Sequence, residues 1–279
     1  MKKILAIIKI VRPINISITF LVVIVAAFIC SNEKVLTEKI LLAAISASFV
    51  VASGNIVNDI FDYSIDLINR PNRPLPSKEM SINFAIFLYL FFTFGGLIFA
   101  QKVSWEAFFI VVFVSLILLF YSFLLKQIPL LGNIAVSVCT ALAFIYGGVA
   151  VNNWKDAIIP AIFAFLINLI REIIKDIEDI EGDIKNNIIT FPSKFGLQKT
   201  KIVLTFITII LIGFTFYPFI KEIYSIEYFL IILFTVDLLL VYFIREIKGK
   251  MFMNKISLIS KLLKLSMIFG LIAIFIGNY

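Results

Sequence analysis

Stretches of apolar residues long enough to cross a bilayer recur nine times in this chain, at about 14–30, 38–57, 81–100, 105–124, 133–151, 156–174, 201–220, 225–244 and 257–277. The hydrocarbon core of a bilayer is about 30 Å thick, and about 20 helical residues cross it. No water is available there, so each backbone N–H and C=O must be satisfied within the spanning structure. The chain is 61% hydrophobic with a mean hydropathy of +1.06. Soluble domains hold roughly 45–50% apolar residues. The expected fold is therefore all-α and polytopic, with nine transmembrane helices. The connections are too short for a separate soluble domain, so residues 1–279 are read as a single membrane domain.

The charges orient that fold. With the N-terminus placed on the cytoplasmic side, 20 of the 25 Lys and Arg residues fall inside. Five fall outside: Lys34, Lys39, Lys102, Lys155 and Lys221. Cytoplasmic loops carry the excess of basic residues, so the expected topology is N-in and C-out. The net charge of +7 is thereby a signature of topology and anionic headgroups, not of nucleic acid. The opening "MKKILAIIKIVRP" reads as a cytoplasmic amphipathic lead-in, since Lys9 and Arg12 interrupt its apolar region and no small-x-small cleavage site follows. The chain contains no histidine, which removes Ser-His and Cys-His catalysis and His-ligated metals. Cys30 and Cys139 lie in or at the end of spans and carry no redox or metal pattern.

Two polar segments break this apolar background. "NDIFDYSID" (58–66) and "DIEDIEGD" (176–183) share the spacing D-x2-D-x3-D, and the expected topology puts both on the cytoplasmic side. At ~100° per residue, Asp62, Asp66 and Asp59 lie about 40°, 80° and 100° round the helix from Asn58, with Asn55 near 60°. They form one stripe if the helix continues past the interface. Around Asp176, the residues Asp183, Glu172, Asp179 and Asn168 form a second stripe, and Glu178 and Glu181 point the other way. Eight of the 18 acidic residues sit in these two segments. Carboxylates at that density repel one another unless a cation neutralises them. Hard divalent ions take oxygen ligands, and Mg²⁺ combines one or two carboxylates with phosphate oxygens. Basic residues stand nearby in sequence: Arg70 and Arg73 in "NRPNRPLPSK", Lys126, Arg171, Lys175 and Lys185. The pattern suits a metal-bridged diphosphate.

The segments "RPINISITF", "NDIFDYSIDLINRPNRPLPS", "YSFLLKQIPLLGN" and "REIIKDIEDIEGD" resemble the UbiA superfamily of intramembrane prenyltransferases over nearly the whole chain. Within it, the tails of both aspartate motifs are most similar to the archaeal branch acting in ether-lipid synthesis. That branch moves a geranylgeranyl group from geranylgeranyl diphosphate to the hydroxyl of geranylgeranylglyceryl phosphate, making the second ether bond. The resemblance implies nine helices around a central cavity, capped on the cytoplasmic side and open laterally to lipid. It implies that Asn58, Asp62, Asp176, Asp179 and Asp183 hold Mg²⁺, as two ions, on the diphosphate. Asp59 and Asp66 complete the first metal motif or orient the basic groups. Tyr121 and Lys126 match a tyrosine–lysine element, and Arg12 and Asn15 match an R-P-x-N opening. Arg70, Arg73 and Lys185 join the substrate-binding set.

The residue types agree with that chemistry. Ionising an allylic diphosphate needs neutralisation of the leaving group, which cations provide without a nucleophile or imidazole. Two alternatives stay open at this level: prenylation of an aromatic acceptor in quinone biosynthesis, and an ion-coupled transporter. A transporter calls for ionisable relays near the membrane midplane, and among the nine runs Asp237 is the residue read as such. A hydrogen bond to a neighbouring helix and a role in the cavity are both open for it.

Overall fold

The computed structural model describes residues 2–180, 189–249 and 251–278. Among these residues every regular element is helical. The long helices are α1 (Lys2–Val11), α2 (Pro13–Ile29), α3 (Glu38–Phe61), α5 (Ile82–Val103), α6 (Trp105–Phe123), α7 (Leu131–Ala150) and α8 (Ile158–Glu178). They continue as α10 (Leu197–Ile220), α11 (Ile226–Lys248) and α12 (Ile256–Gly277). Two short helices, α4 (Tyr63–Asn69) and α9 (Phe191–Phe195), complete the set.

Each of the nine apolar runs falls on a long helix. Seven of these helices are long and apolar enough to cross a membrane, and the pair Ile4–Val11 and Pro13–Ile29, bent by 51°, makes eight if it counts as one span. α8 occupies the sixth run, but its C-terminal half carries Arg171, Glu172, Lys175, Asp176 and Glu178. The chain is an integral membrane protein.

The chain divides into two compact units. The first comprises residues 1–125 and 142–157, the second 126–141 and 158–279, so the halves of α7 belong to different units. In the first unit α3 is central. More than half of its apolar stretch is buried, whereas α5 and α6 turn most of theirs outward. Its core is built from small residues, among them Ala43, Ala44, Ala100, Ala107 and Ala150. In a bilayer, helix association depends on close packing and hydrogen bonds rather than on a hydrophobic drive, and small residues let backbones approach. Ser46 on α3 accordingly donates to the Gly96 carbonyl on α5 at 2.7 Å.

Gly147 shows how tight this packing is. A Cβ there would lie 2.6 Å from the Val23 carbonyl oxygen and 2.9 Å from the Ala27 nitrogen, both backbone atoms of α2. Gly147→Ala is expected to force α2 and α7 apart at a cost of about 1–3 kcal/mol. A thermal melt in detergent checks this, and a midpoint equal to that of the parent chain would refute it.

α1 packs on α3 through Ala6 and Ile10. These join Ile56, Ala85 and Leu88 around Leu75 and Met80 of the segment between α4 and α5. That segment, "RPNRPLPSKEM", folds as a compact plug. Pro74, Leu75 and Pro76 are buried, and Lys9 of α1 ties down Glu79 at 3.0 Å.

In the second unit α8 packs against α10 and α12. Its residues Ile170, Ile173, Ile174 and Ile177 are fully buried. α11 contains a π-helical turn at Ile232–Asp237. Asp237 ends that turn, and its two carboxylate oxygens lie 3.1 and 3.3 Å from the Thr215 hydroxyl on α10. Tyr228 donates to the Thr215 carbonyl at 2.9 Å. A carboxylate inside a span needs such a polar neighbour, and here it joins α10 to α11.

Candidate active site

The first aspartate motif spans the end of α3 and the start of α4. α3 stops at Phe61, yet the Asp62 N–H still donates to the Asn58 carbonyl and the Asp66 N–H to the Asp62 carbonyl. These four-residue steps carry the stripe across the break, so the motif keeps one helical face. The residues on it then divide into two kinds.

Asp59 and Asp66 are 4% exposed and face arginines. Asp59 accepts from Arg12 at 2.5 Å and from Arg73 at 3.2 Å, and Asp66 accepts from the same Arg73 nitrogen at 2.5 Å. Burying a carboxylate is costly unless it is paired and hydrogen-bonded, and here two carboxylates share two guanidinium groups. Arg12 sits at the bend between α1 and α2, with a left-handed backbone at φ 55° immediately before Pro13. Non-glycine residues rarely hold that conformation. Asn55 anchors the bend, donating to the Val11 carbonyl at 2.9 Å, while Asp59 holds the guanidinium. Asn58 and Asp62 form the other kind: the Asn58 amide donates to an Asp62 oxygen at 2.8 Å, and neither residue is deeply buried.

The remaining residues expected in this unit are more peripheral. Arg70 is exposed at the end of α4. Asn15 is exposed, with its backbone N–H on the Arg12 carbonyl. Tyr121 is half-buried near the end of α6.

The second motif lies in the other unit. Asn133 of α7 donates to an Asp176 oxygen of α8 at 2.9 Å. Around that contact runs a belt of polar groups. Ser137 donates to the Asn133 carbonyl at 2.7 Å and accepts from Asn168 at 3.4 Å, while Arg171 donates to the Asn168 oxygen at 3.0 Å. Glu172, 8% exposed, pairs with Arg171 at 3.2 Å and faces Lys175 at 3.7 Å. Asp179 is exposed just beyond α8, and Glu178, the last residue of α8, is exposed too. Lys126 is half-buried in the short 3₁₀ turn Leu125–Gln127 ahead of α7. Asp183, Lys185 and Glu181 lie outside the described residues.

Sequence reading did not single out Asn133 and Ser137. The available signal was a pair of polar residues four apart at the head of an apolar run, the first of them closing the quoted segment that ends in "LLGN".

Among the described residues no three carboxylate or thiol groups gather closely enough to cage a metal unaided. The donor types nevertheless fit Mg²⁺ held partly by phosphate: they are amide and carboxylate oxygens, without sulfur or imidazole. Asp59 and Asp66 fit less well as direct ligands, since arginine nitrogens already engage one oxygen of each.

The fold is an all-helical membrane bundle whose polar residues concentrate into aspartate, asparagine and arginine groups, and it defines an integral membrane protein. The chain belongs to the UbiA prenyltransferase family, whose model matches residues 19–255. It is 34% identical over 276 residues to digeranylgeranylglyceryl phosphate synthase of Methanosphaera stadtmanae, covering 97% of this chain and 98% of that one. To the synthase of the same name from Methanobrevibacter smithii it is 34% identical over 284 residues, covering 98% and 97%. A solved structure concerning digeranylgeranylglyceryl phosphate synthase matches with a TM-score of 0.88 at 32% identity, over 100% of this chain and 99% of that one. A UbiA homologue from Archaeoglobus fulgidus, bound to DMAPP and Mg²⁺, shares the fold at a TM-score of 0.70 and 19% identity, over 96% of this chain and 98% of its own.

Proposed function

We propose that this chain transfers a geranylgeranyl group from geranylgeranyl diphosphate to the free hydroxyl of geranylgeranylglyceryl phosphate, forming the second ether bond of an archaeal membrane lipid. The observation that carries this reading is the end-to-end similarity, at 34% identity, to synthases of that name. A divalent metal belongs to the reading, taken as two Mg²⁺ ions; its support is that the Archaeoglobus fulgidus homologue is bound to DMAPP and Mg²⁺, which bears on the metal and not on the number of ions. When bound, Mg²⁺ supplies electrostatic neutralisation of the leaving diphosphate.

Asn58, Asp62, Asp176, Asp179 and Asp183 are the residues that would hold it. Arg12, Arg73, Arg70, Lys126 and Lys185 bind diphosphate oxygens, with Tyr121 and Asn15 beside them. Asp59 and Asp66 hold Arg12 and Arg73 in place. Such fixed donors cost no reorganisation as charge develops on the leaving oxygen. The C1–O bond of the donor breaks with its electrons passing to diphosphate. The acceptor oxygen forms the new bond to C1, and its proton passes to the departing diphosphate. Apolar walls keep water from the allylic cation, and aromatic faces stabilise it by about 2 kcal/mol or more per desolvated contact. The working unit is the whole chain, 1–279, with the N-terminus and the active site on the cytoplasmic face and the C-terminus outside, in keeping with the basic-residue asymmetry.

The test is a transfer assay on purified protein with labelled geranylgeranyl diphosphate, Mg²⁺ and geranylgeranylglyceryl phosphate, with 4-hydroxybenzoate in a parallel tube. Diether formation abolished by EDTA is the expected result. Product with the aromatic acid alone would overturn the acceptor assignment.

A further inference from the structure

α12 carries two lysines where a spanning helix should have none. It is 22 residues long, about 33 Å, so its ends must reach the two interfaces of a ~30 Å hydrocarbon core. Lys255, at the start of α12, pairs with Glu246 at 2.9 Å and sits where an interfacial cation belongs. Lys264 lies eight residues beyond Ile256, about 12 Å along the axis, and Lys261 one turn before it. Only thirteen residues separate Lys264 from Gly277, about 20 Å, too short a stretch to cross the core unaided. The Gly277 carbonyl accepts from the Ser225 N–H at the head of α11, which fixes that end of α12 level with the start of its neighbour.

Both lysines are exposed, and among the described residues no carboxylate pairs with either. They face away from the packed stripe of α12, formed by Ile256, Ile259, Leu263, Ser266 and Ala273. Three and four residues apart on a helix are neighbours, so Ser257, Lys261 and Lys264 make one polar ridge. Exposed Ile268 and Ile272 continue that ridge toward the C-terminal end. An uncompensated ionisable pair within a span is costly and marks a ligand path.

We infer that Lys261 and Lys264 form a subsite for the phosphate monoester of the lipid acceptor, with its apolar chain lying along Ile268 and Ile272. The inference rests on the proposed function for the identity of the acceptor. The donor's diphosphate already has its own cations in Arg12 and Arg73. An acceptor bearing a second phosphate needs others, and two ammonium groups one turn apart present convergent donors to its oxygens.

Binding and turnover of geranylgeranylglyceryl phosphate are compared with those of its dephosphorylated form, geranylgeranylglycerol, in nanodiscs of zwitterionic lipid and again with anionic lipid added. Lys261→Gln/Lys264→Gln is expected to weaken binding of the phosphorylated lipid about tenfold or more, the scale of hydrogen bonds to a charged group. Affinities for the dephosphorylated lipid and for geranylgeranyl diphosphate should stay unchanged, and Lys264→Arg should retain most of the preference. Undiminished preference for the phosphorylated lipid in the double variant overturns the subsite. So does a loss that appears only when anionic lipid is present, which would assign the lysines to bilayer headgroups. A parent chain that binds the phosphorylated lipid preferentially, through these lysines, but makes no diether overturns the proposed reaction and leaves the subsite standing.

Discussion

Asp62→Ala is expected to lower prenyl transfer on the order of a thousandfold, about 4 kcal/mol of transition-state stabilisation, while leaving membrane insertion and melting close to those of the parent chain. The expectation comes from how the first motif divides its carboxylates. Asp59 and Asp66 are buried against guanidinium groups, and removing either disturbs packing as well as chemistry. Asp62 is only half-buried, stands at the α3–α4 break, and is oriented by the Asn58 amide. That environment suits the proposed role as a metal-and-phosphate ligand, whose loss costs turnover but little stability. Asp62→Asn is the sharper variant, because it keeps shape and hydrogen-bonding capacity while removing the charge. Turnover of Asp62→Asn within a few-fold of the parent, at saturating Mg²⁺, would sink the assignment. Asp179→Ala should resemble Asp62→Ala, since Asp179 is exposed and contributes little to packing.

The two motifs were legible in the sequence because helical periodicity makes i, i+4 and i+8 share a face, and the chain conserves that periodicity through the break at Asp62. The helices were legible for a simpler reason: apolar runs of span length leave the backbone little choice. The partners of the motif residues were not. Asp59 is met by Arg12, 47 residues upstream, and by Arg73, 14 residues downstream. Both reach it through irregular backbone, a bend before Pro13 and a proline-rich plug, which no periodicity describes. Spacing alone therefore could not decide between metal ligand and arginine holder for Asp59 and Asp66. Asn133 escaped for a related reason. Its face on α7 is defined only by where Asp176 of α8 comes to rest, 43 residues away. Lys261 and Lys264 fell within the ninth run yet were counted with the cytoplasmic charges, and the observed helix, Ile256–Gly277, keeps them inside it.

Arg73→Ala is expected to give the largest loss of stability, about 3–5 kcal/mol, as breaking a buried pair leaves an uncompensated charge. One Arg73 nitrogen serves both Asp59 and Asp66, and both carboxylates are almost fully buried. Asp59 would keep Arg12, but among the described residues no other ion pair serves Asp66. The arginine is also fixed to the plug: the Arg73 N–H bonds the Arg70 carbonyl, the Ser77 N–H bonds the Arg73 carbonyl, and Leu75 fills the cluster beneath α1. Loosening Arg73 therefore loosens the seat of α1 and of Arg12. A thermal or chemical melt in detergent measures the loss directly. The double variant Arg73→Leu/Asp66→Leu separates charge from packing, because replacing a buried pair by apolar groups is often neutral or stabilising. It should regain much of the lost stability while transfer stays impaired, since an arginine proposed to grip the diphosphate has gone. A melt of Arg73→Ala indistinguishable from the parent would mean that water reaches Asp66 freely. A double variant restored in both stability and turnover would confine Arg73 to holding the fold.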